Sequence, residues 1–479
     1  MRICLICEGS YPYVAGGVSG WVQMLTNHFT EHEFVIWSIA TTEEEMKDYK
    51  YVLPPNVVEV KTLYIGSVGF GDRFRKVRLT ETERKLLQKL VTGEAAGIDW
   101  RETLRLINRY RENLIDLLMG EDFYRICLEE YERQDSKKVF SQFLWSFRGM
   151  YLPVMYILSD EIPKADIYHA VSTGYAGILG SCASFAEEKP LLLSEHGIYT
   201  REREEDIIRS KWVDGDFKNT WIEFFKKLSL ISYKQAAYVT SLFEMNRALQ
   251  VELGCPEETI HIIPNGVDPE EFETLTSRGL FDHGCFQIGA VLRIVPIKDI
   301  KTMLLAFSLV VEKEPGAQLH ILGNYDEDPE YYHECRGLVE DLGIPGVTFH
   351  GQVDVREYLP ELDLLLLSSI SEGQPLAVLE GMAAGVPYVC TNVGDCKGLL
   401  YGEFPEDTFG PAGIVVPAMD AERMAKAILE CIRDRKKLKN MGEAGKKRVR
   451  AYYRKDAFLE QYRQVYDQLG GEYHGGHRV

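Results

Sequence analysis

The sequence contains no apolar run near the roughly 20 residues that a membrane-spanning helix needs; runs such as Leu364–Leu367 are far shorter. Its N-terminal stretch, MRICLICEGSYPYVAGG, carries one Arg and then a strand-length apolar run that ends at Glu8, which argues against a secretory leader. The ten cysteines show no metal-ligand spacing. Cys4 and Cys7 come nearest to a pair, but one expected strand holds both and its alternation sends them to opposite faces. Buried, reduced thiols of a cytosolic protein are the reading. Positive charge is also scarce: 54 Lys and Arg against 73 Asp and Glu leave a net charge of −19, which disfavours general binding to nucleic acid or anionic membrane. The basic runs RFRKVR (73–78) and KKRVR (446–450) read as solvated faces. The glycines of VAGGVSGW (14–21) lack the G-x-G-x-x-G spacing, so a dinucleotide fingerprint is not supported.

What is present is length and a strand–helix rhythm. A chain of 479 residues, 45% hydrophobic and 27% charged, suggests a soluble globular protein of two or three domains at roughly 100 to 200 residues each. RICLIC, FVIWSIA and VVEVKTL read as strands, with GVSGWVQMLTNHF as a helix after the first. From about residue 79 to 158 the rhythm breaks. DWRETLRLINRYRENLIDLLMG carries Leu104, Ile107, Ile115 and Leu118 at amphipathic spacing with no strand between, a helical insertion. Strands resume with ADIYHAV, LLLSEH, AAYVTS and TIHIIPNG; a polar linker follows near 268–282. A second set then runs FQIGAVLR, AQLHILG, VTFHG, DLLLLSS, PYVCTN and GIVVP. Continuous apolar strands separated by helices imply parallel sheets covered on both faces. The expected fold class is α/β with two doubly wound domains, 1–275 and 276–452, and a C-terminal helix, 453–479, packing back on the first.

Open sheets of this kind bind ligands beyond the carboxyl ends of their strands. The residues found there are Gly16 and Gly17, His196, Arg293 with Lys298, Gly323, Gly351 and Glu372. LRIVPIK supplies a planar guanidinium and an ammonium suited to a diphosphate. VAGGVSGW offers glycines at a helix start, where N–H groups favour anions. LLLSEHGIYTRER puts His196 at a strand mouth, where a neutral imidazole can accept from a hydroxyl. YDEDP, with Asp326 and Asp328, has a spacing some transferases use for a divalent cation, and reads here as a solvated loop. SISEGQPLAVLEGMAAGVPYV (369–389) places Glu372 in a turn and Glu380 about two turns into a helix closed by Gly385 and Pro387.

In this order, Gly-Gly, His, R-x4-K, PNGVD (264–268) and E-x7-E resemble the retaining, nucleotide-sugar-dependent glycosyltransferases of family four, built as two facing Rossmann-like domains (GT-B). CEGSYPYVAGGVSGW, SEHGIYTREREEDI and ILGNYDEDPEYY, with the long insertion, resemble the branch that builds the Pel exopolysaccharide. That resemblance implies transfer of a hexose unit from a UDP-sugar to a growing polysaccharide acceptor, with His196, Arg293, Lys298 and Glu372 as the catalytic group. It implies a donor site of Gly16, Gly17, Asn265, Gly323, Val353, Gly373, Gln374, Pro375, Leu376 and Glu380. Glu380 would read the ribose hydroxyls and Glu372 the sugar. The helix end and the Arg293/Lys298 pair would hold the anion, and Pro375 suits the first helical position. It also implies no metal or other cofactor, no nucleic acid, a cytoplasmic protein and recruitment to the membrane by a membrane-embedded Pel synthase complex. UDP-glucose and UDP-N-acetylgalactosamine both remain open as donors. A UDP-sugar epimerase of the same architecture and a non-catalytic UDP-sugar-sensing scaffold are the rival readings.

Overall fold

The computed structural model describes residues 1–43, 48–67, 76–134, 138–276, 279–281 and 284–475. Arg73 and Arg75 of the basic run and Asp282 at the end of the expected linker lie outside the described residues. Two compact units form, Met1–Ile262 together with Tyr462–Val479, and Ile263–Gln461. Residues 263–275, expected at the end of the first domain, cluster with the second: Val267 pairs with Arg454, and the Val267 amide donates to the Tyr453 carbonyl at 2.9 Å. The start of the expected linker is helical, capped by Asp268 over Pro269–Glu273.

The first unit is built on a parallel sheet of β1 (Arg2–Glu8), β2 (Glu33–Ala40), β3 (Val57–Tyr64), β4 (Ile167–Ala170), β5 (Leu191–Ser194), β6 (Tyr238–Ser241) and β7 (Ile260–Ile262). Their order is β3-β2-β1-β4-β5-β6-β7. β1 is apolar from Ile3 to Cys7 because helices cover both of its faces. It pairs with β2 on one side and β4 on the other, so successive crossovers run in opposite directions from it. That is a topological switch point. The second unit repeats the scheme with β8 (Gln287–Val291), β9 (Gln318–Leu322), β10 (Val347–Gly351), β11 (Leu364–Leu367), β12 (Tyr388–Thr391) and β13 (Gly413–Val416), in the order β10-β9-β8-β11-β12-β13. Its switch point lies between β8 and β11. Arg293 and Lys298 follow β8 and Glu372 follows β11, so topology alone brings these distant residues to one place.

The insertion between β3 and β4 is helical, but its amphipathic stretch is not one helix. Trp100–Arg109 ends at Tyr110, a 3-10 turn covers Arg111–Asn113, and helix restarts at Leu114–Met119. Thr80 opens the first insertion helix, Glu81–Thr92, with a reciprocal capping box to Glu83. Phe123 and Phe143 from the insertion and Leu104, Ile107 and Leu118 share one continuous core with Cys4, Ile6 and Trp37 of the sheet. The insertion is therefore part of the first unit's core.

The last helix, Lys455–Gly475, contributes Tyr462 and Tyr466 to the first unit. The Tyr466 hydroxyl lies 2.8 Å from His169 Nδ1, and the Tyr462 hydroxyl 3.0 Å from Ser194 Oγ and 2.9 Å from Thr240 Oγ1. His169 Nε2 closes the network at 2.8 Å from Ser194 Oγ, and burial pushes this imidazole down to about 3, keeping it neutral. Cys4 and Cys7 are both buried and unbridged. Among the described residues no helix is long and apolar enough to cross a membrane.

Candidate functional site

Beyond β8 the chain turns through Arg293 and the 3-10 segment Pro296–Lys298 into helix Ile300–Val311, capped by Asp299, whose carboxylate accepts from the Thr302 amide at 3.3 Å. The Lys298 ammonium donates to Glu372 Oε1 at 2.5 Å, and the Ser369 hydroxyl donates to the same oxygen at 2.5 Å. Ser368 Oγ donates to the Lys298 carbonyl at 2.8 Å, which fastens the β8 loop to the β11 loop. The two charged side chains are only 16% and 10% exposed, so their attraction is little screened. Arg293 Nη1 donates to Glu327 Oε1 at 2.6 Å, with both side chains about half exposed.

Lys298 and Glu372, which the resemblance assigns to the phosphate and to the sugar, are paired with each other in this structure, and both side chains are partly buried. In YDEDP it is Glu327 that reaches Arg293, while Asp328 caps helix Pro329–Asp341 through the Tyr331 amide at 2.9 Å.

Helix Leu376–Ala384 follows the Glu372 turn and ends at Gly385 in the left-handed region. Pro375 is not its first residue, as expected, but the extended residue before it, with φ −72° and ψ 116°. A residue there donates no intrahelical bond, so the missing N–H is equally harmless. The resemblance gives the donor the main-chain amide of Gln374; its side chain and carbonyl bond to protein. Its Oε1 accepts from the Asn265 amide at 2.6 Å, its carbonyl accepts from Asn265 Nδ2 at 3.3 Å, and its Nε2 donates to Asp395 Oδ2 at 2.6 Å. Asn265 of PNGVD is buried and serves as a clamp on that loop. Among the described residues, the main-chain amides of Gly373 and Gln374 donate to no backbone acceptor. Two N–H groups are thus left at the entrance of the helix that carries Glu380.

Glu380 is partly exposed, and its carboxyl is pushed up to about 7 by burial and by the carboxylate of Glu271, with Arg356 opposing. Gly323 has a firm structural reason: a Cβ there would stand 1.7 Å from the Leu292 carbonyl oxygen, where β8 and β9 converge. Val353 is partly buried against the core around Leu359 and Leu362.

In the first unit, Gly16 precedes helix Gly17–His28 with extended backbone, the helix has no acidic residue in its first turn, and the space beside both glycines is open. The Gly16 amide donates to the Tyr51 hydroxyl at 3.3 Å. His196 follows β5 with its ring 4.5 Å from Trp21 in an edge-on arrangement. Burial pushes it down to about 4, so it is neutral, and its Nε2 is enclosed without a hydrogen-bond partner among the described residues. The neighbouring Glu195 is structural: Tyr233, Gln250 and Thr173 donate to it at 2.5, 2.9 and 3.1 Å. Glu8, at the end of β1, accepts from the Tyr175 and Ala176 amides and the Tyr199 hydroxyl. Sequence reasoning passed over Glu8, Ser369, Glu327 and Asp395. Glu8 ends β1 and Asp395 opens the helix after β12, both within reach of the carboxyl-end rule; the role of Glu327 depends on Arg293, distant in sequence, whereas Ser369 bonds Glu372 three residues on.

Residues 1–258 match the family model described as a domain of unknown function, DUF3492, and residues 285–434 match the model of glycosyl transferases group 1. The strand-end constellation of the second unit thus sits in a domain of the group 1 glycosyl transferase type. The chain belongs to the DUF3492 family, whose model spans more than half of it. It is 30% identical over 172 residues to N-acetyl-alpha-D-glucosaminyl L-malate synthase of Bacillus anthracis, 36% of this chain and 42% of that protein. It is 24% identical over 379 residues to the uncharacterized glycosyltransferase MJ1178 of Methanocaldococcus jannaschii, 76% of this chain and 94% of that one. The chain spans less than half the length of the first curated relatives it matches. Among solved structures, Anabaena Alr3699/HepE in complex with UDP superposes with a TM-score of 0.62 at 14% identity, over 98% of this chain and 100% of that one. The shared fold is two parallel-sheet, Rossmann-like domains.

Proposed function

We propose that this protein is a retaining glycosyltransferase that moves a hexose unit from a UDP-sugar to a hydroxyl of a growing exopolysaccharide of the Pel type. The observation that carries the reading is the meeting of Lys298 and Glu372 beside the open Gly373 and Gln374 amides, at the head of the helix bearing Glu380. Each charge stands in for part of the donor: Glu372 occupies the ammonium as a phosphate would, and Lys298 occupies the carboxylate as a sugar hydroxyl would. Donor binding exchanges the pair, sending Lys298 and Arg293 to the diphosphate and Glu372 to the sugar. The C1–O bond to UDP then breaks, the acceptor oxygen bonds C1 from the same face, and the acceptor proton passes to the departing phosphate. Each cation at about 4 Å in an effective dielectric near 20 contributes roughly 4 kcal/mol toward that leaving charge, so the transfer runs without a metal. The neutral ring of His196 positions a donor hydroxyl rather than acting as a base. Acceptor, polymer and a membrane-embedded Pel synthase complex complete the system, with the protein on the cytoplasmic side.

The test is incubation of purified protein with UDP-glucose and UDP-N-acetylgalactosamine, with and without oligosaccharide acceptor. Acceptor-dependent UDP release with an α-configured product supports the reading. Sugar interconversion without acceptor would instead identify an epimerase, and binding without turnover a sensor.

A further inference from the structure

The Glu372 loop is held from behind by the turn after β12. Gly394 sits at φ +50°, and a Cβ there would come 2.2 Å from the Gly373 carbonyl oxygen and 2.4 Å from that of Glu372, so the turn packs directly on this backbone. The next residue, Asp395, is 1% exposed and grips the loop twice: its amide donates to the Gly373 carbonyl at 2.9 Å, and its Oδ2 accepts from Gln374 Nε2 at 2.6 Å. We infer that Asp395 is a positioning residue for the donor site, fixing Gly373 and Gln374 so that their open amides and the Glu372 carboxylate hold the geometry a nucleotide-sugar needs. This rests on the donor reading above.

The arrangement requires Asp395 in its acid form. Its other oxygen, Oδ1, is buried, and it approaches the missing Cβ of Gly398 to 2.3 Å while Oε1 of the more exposed Glu403 approaches the same point to 2.1 Å, so the two carboxyl groups converge beside Gly398. Burial first, then the hydrogen bond with Glu403 and its charge, push Asp395 up to about 10, with the Gln374 hydrogen bond opposing. Cys396 and the buried Tyr453 hydroxyl also face it, and the nearby cation, Arg448, bonds the Leu399 and Leu400 carbonyls and is paired with Asp407. As a carboxylic acid, Asp395 turns its carbonyl oxygen to Gln374 and its O–H toward Glu403. Ionised, it would set two carboxylates side by side and loosen the loop.

Asp395→Asn reproduces the acid form, with an oxygen for Gln374 and an N–H for Glu403, whereas Asp395→Leu offers neither. With UDP-glucose as donor, Asp395→Leu is expected to lower kcat/KM by more than roughly tenfold, and Asp395→Asn to restore it while abolishing a decline that the wild type shows as pH approaches 10. Thermal melting supplies a readout independent of activity. The wild type should lose stability from pH 6 to 9 relative to Asp395→Asn, because the native state retains a proton that the unfolded chain releases. Equal kcat/KM for Asp395→Leu and wild type, or an alkaline decline and melting slope unchanged in Asp395→Asn, overturns the inference. If Asp395→Leu fails to fold, the Asn variant's two pH readouts decide alone. A wild type that binds no UDP-sugar defeats the donor reading instead, and the melting slope still reports on Asp395.

Discussion

On the donor reading proposed above, Glu380 links donor affinity to stability through one proton. In the folded protein its carboxyl titrates near 7, raised by burial and then by Glu271, so about one-tenth of molecules carry the carboxylate at pH 6 and about nine-tenths at pH 8. If the carboxylate is what reads the ribose hydroxyls, affinity for the donor should rise roughly eight- to tenfold over that interval. UDP-glucose is the correct probe. Its diphosphate is esterified at both ends and takes up no proton in this range, whereas the terminal phosphate of free UDP titrates near 6 and would confuse the slope.

The same shift has the opposite sign for folding. A carboxyl whose folded value lies above its unfolded one stabilises fully below about 4.5, and that contribution is lost as pH rises through about 7. At about 1.4 kcal/mol per pH unit the ceiling is about 3 kcal/mol, and partial exposure brings the expectation to about 1 to 2 kcal/mol. Glu380→Gln should therefore melt higher than wild type at pH 8 and alongside it at pH 4, while binding UDP-glucose weakly and with no dependence on pH between 6 and 8. Calorimetry and thermal melts across that range decide it. A variant that keeps wild-type affinity at pH 8, or one that keeps the wild-type pH slope, would refute the role given to this carboxylate.

Lys298→Ala and Arg293→Ala should each reduce turnover at saturating donor with modest change in melting temperature, and Lys298→Ala should lose more because it also strips a partly buried partner from Glu372. Glu372→Ala should impair UDP-glucose binding while leaving UDP binding near wild type, checked by paired titrations. Asp407→Ala removes the partner of Arg448 in an ion pair whose side chains are both wholly buried, so it should destabilise the second unit by about 3 to 5 kcal/mol in urea titrations. Treatment with EDTA should leave transfer intact; loss restored by magnesium or manganese would return Asp326 and Asp328 to consideration as ligands.

The strands most legible among the described residues are those buried on both faces, which must be apolar throughout, such as LLLL of β11 and YVCT of β12; β3, half exposed and carrying Glu59 and Lys61, was read from its β-branched residues instead. Arg293 and Lys298 do follow the carboxyl end of β8, and Glu372 that of β11. What the strand-end rule could not give is pairing: Lys298 and Glu372 lie 74 positions apart, and nothing in either neighbourhood says that one oxygen serves both Lys298 and Ser369. The side chain of Gln374 is a related case: nothing local says that Asn265 and Asp395 close on its amide group from two sides and so hold the loop whose main-chain N–H groups stay open. The insertion's pattern was sound in its apolar positions but silent on the break at Tyr110, since a 3-10 turn preserves much of the same spacing.

The last helix carries a consequence for synthesis. Tyr462 and Tyr466 complete the buried polar network around His169, Ser194 and Thr240 in the sheet of the first unit. Until they arrive, those buried groups lack their phenol partners. Tyr462 and Tyr466 follow the whole of Ile263–Gln461 in the chain, so during synthesis this network forms only after the second unit has been translated. The polar groups of β4, β5 and β6 are completed by side chains made long after them.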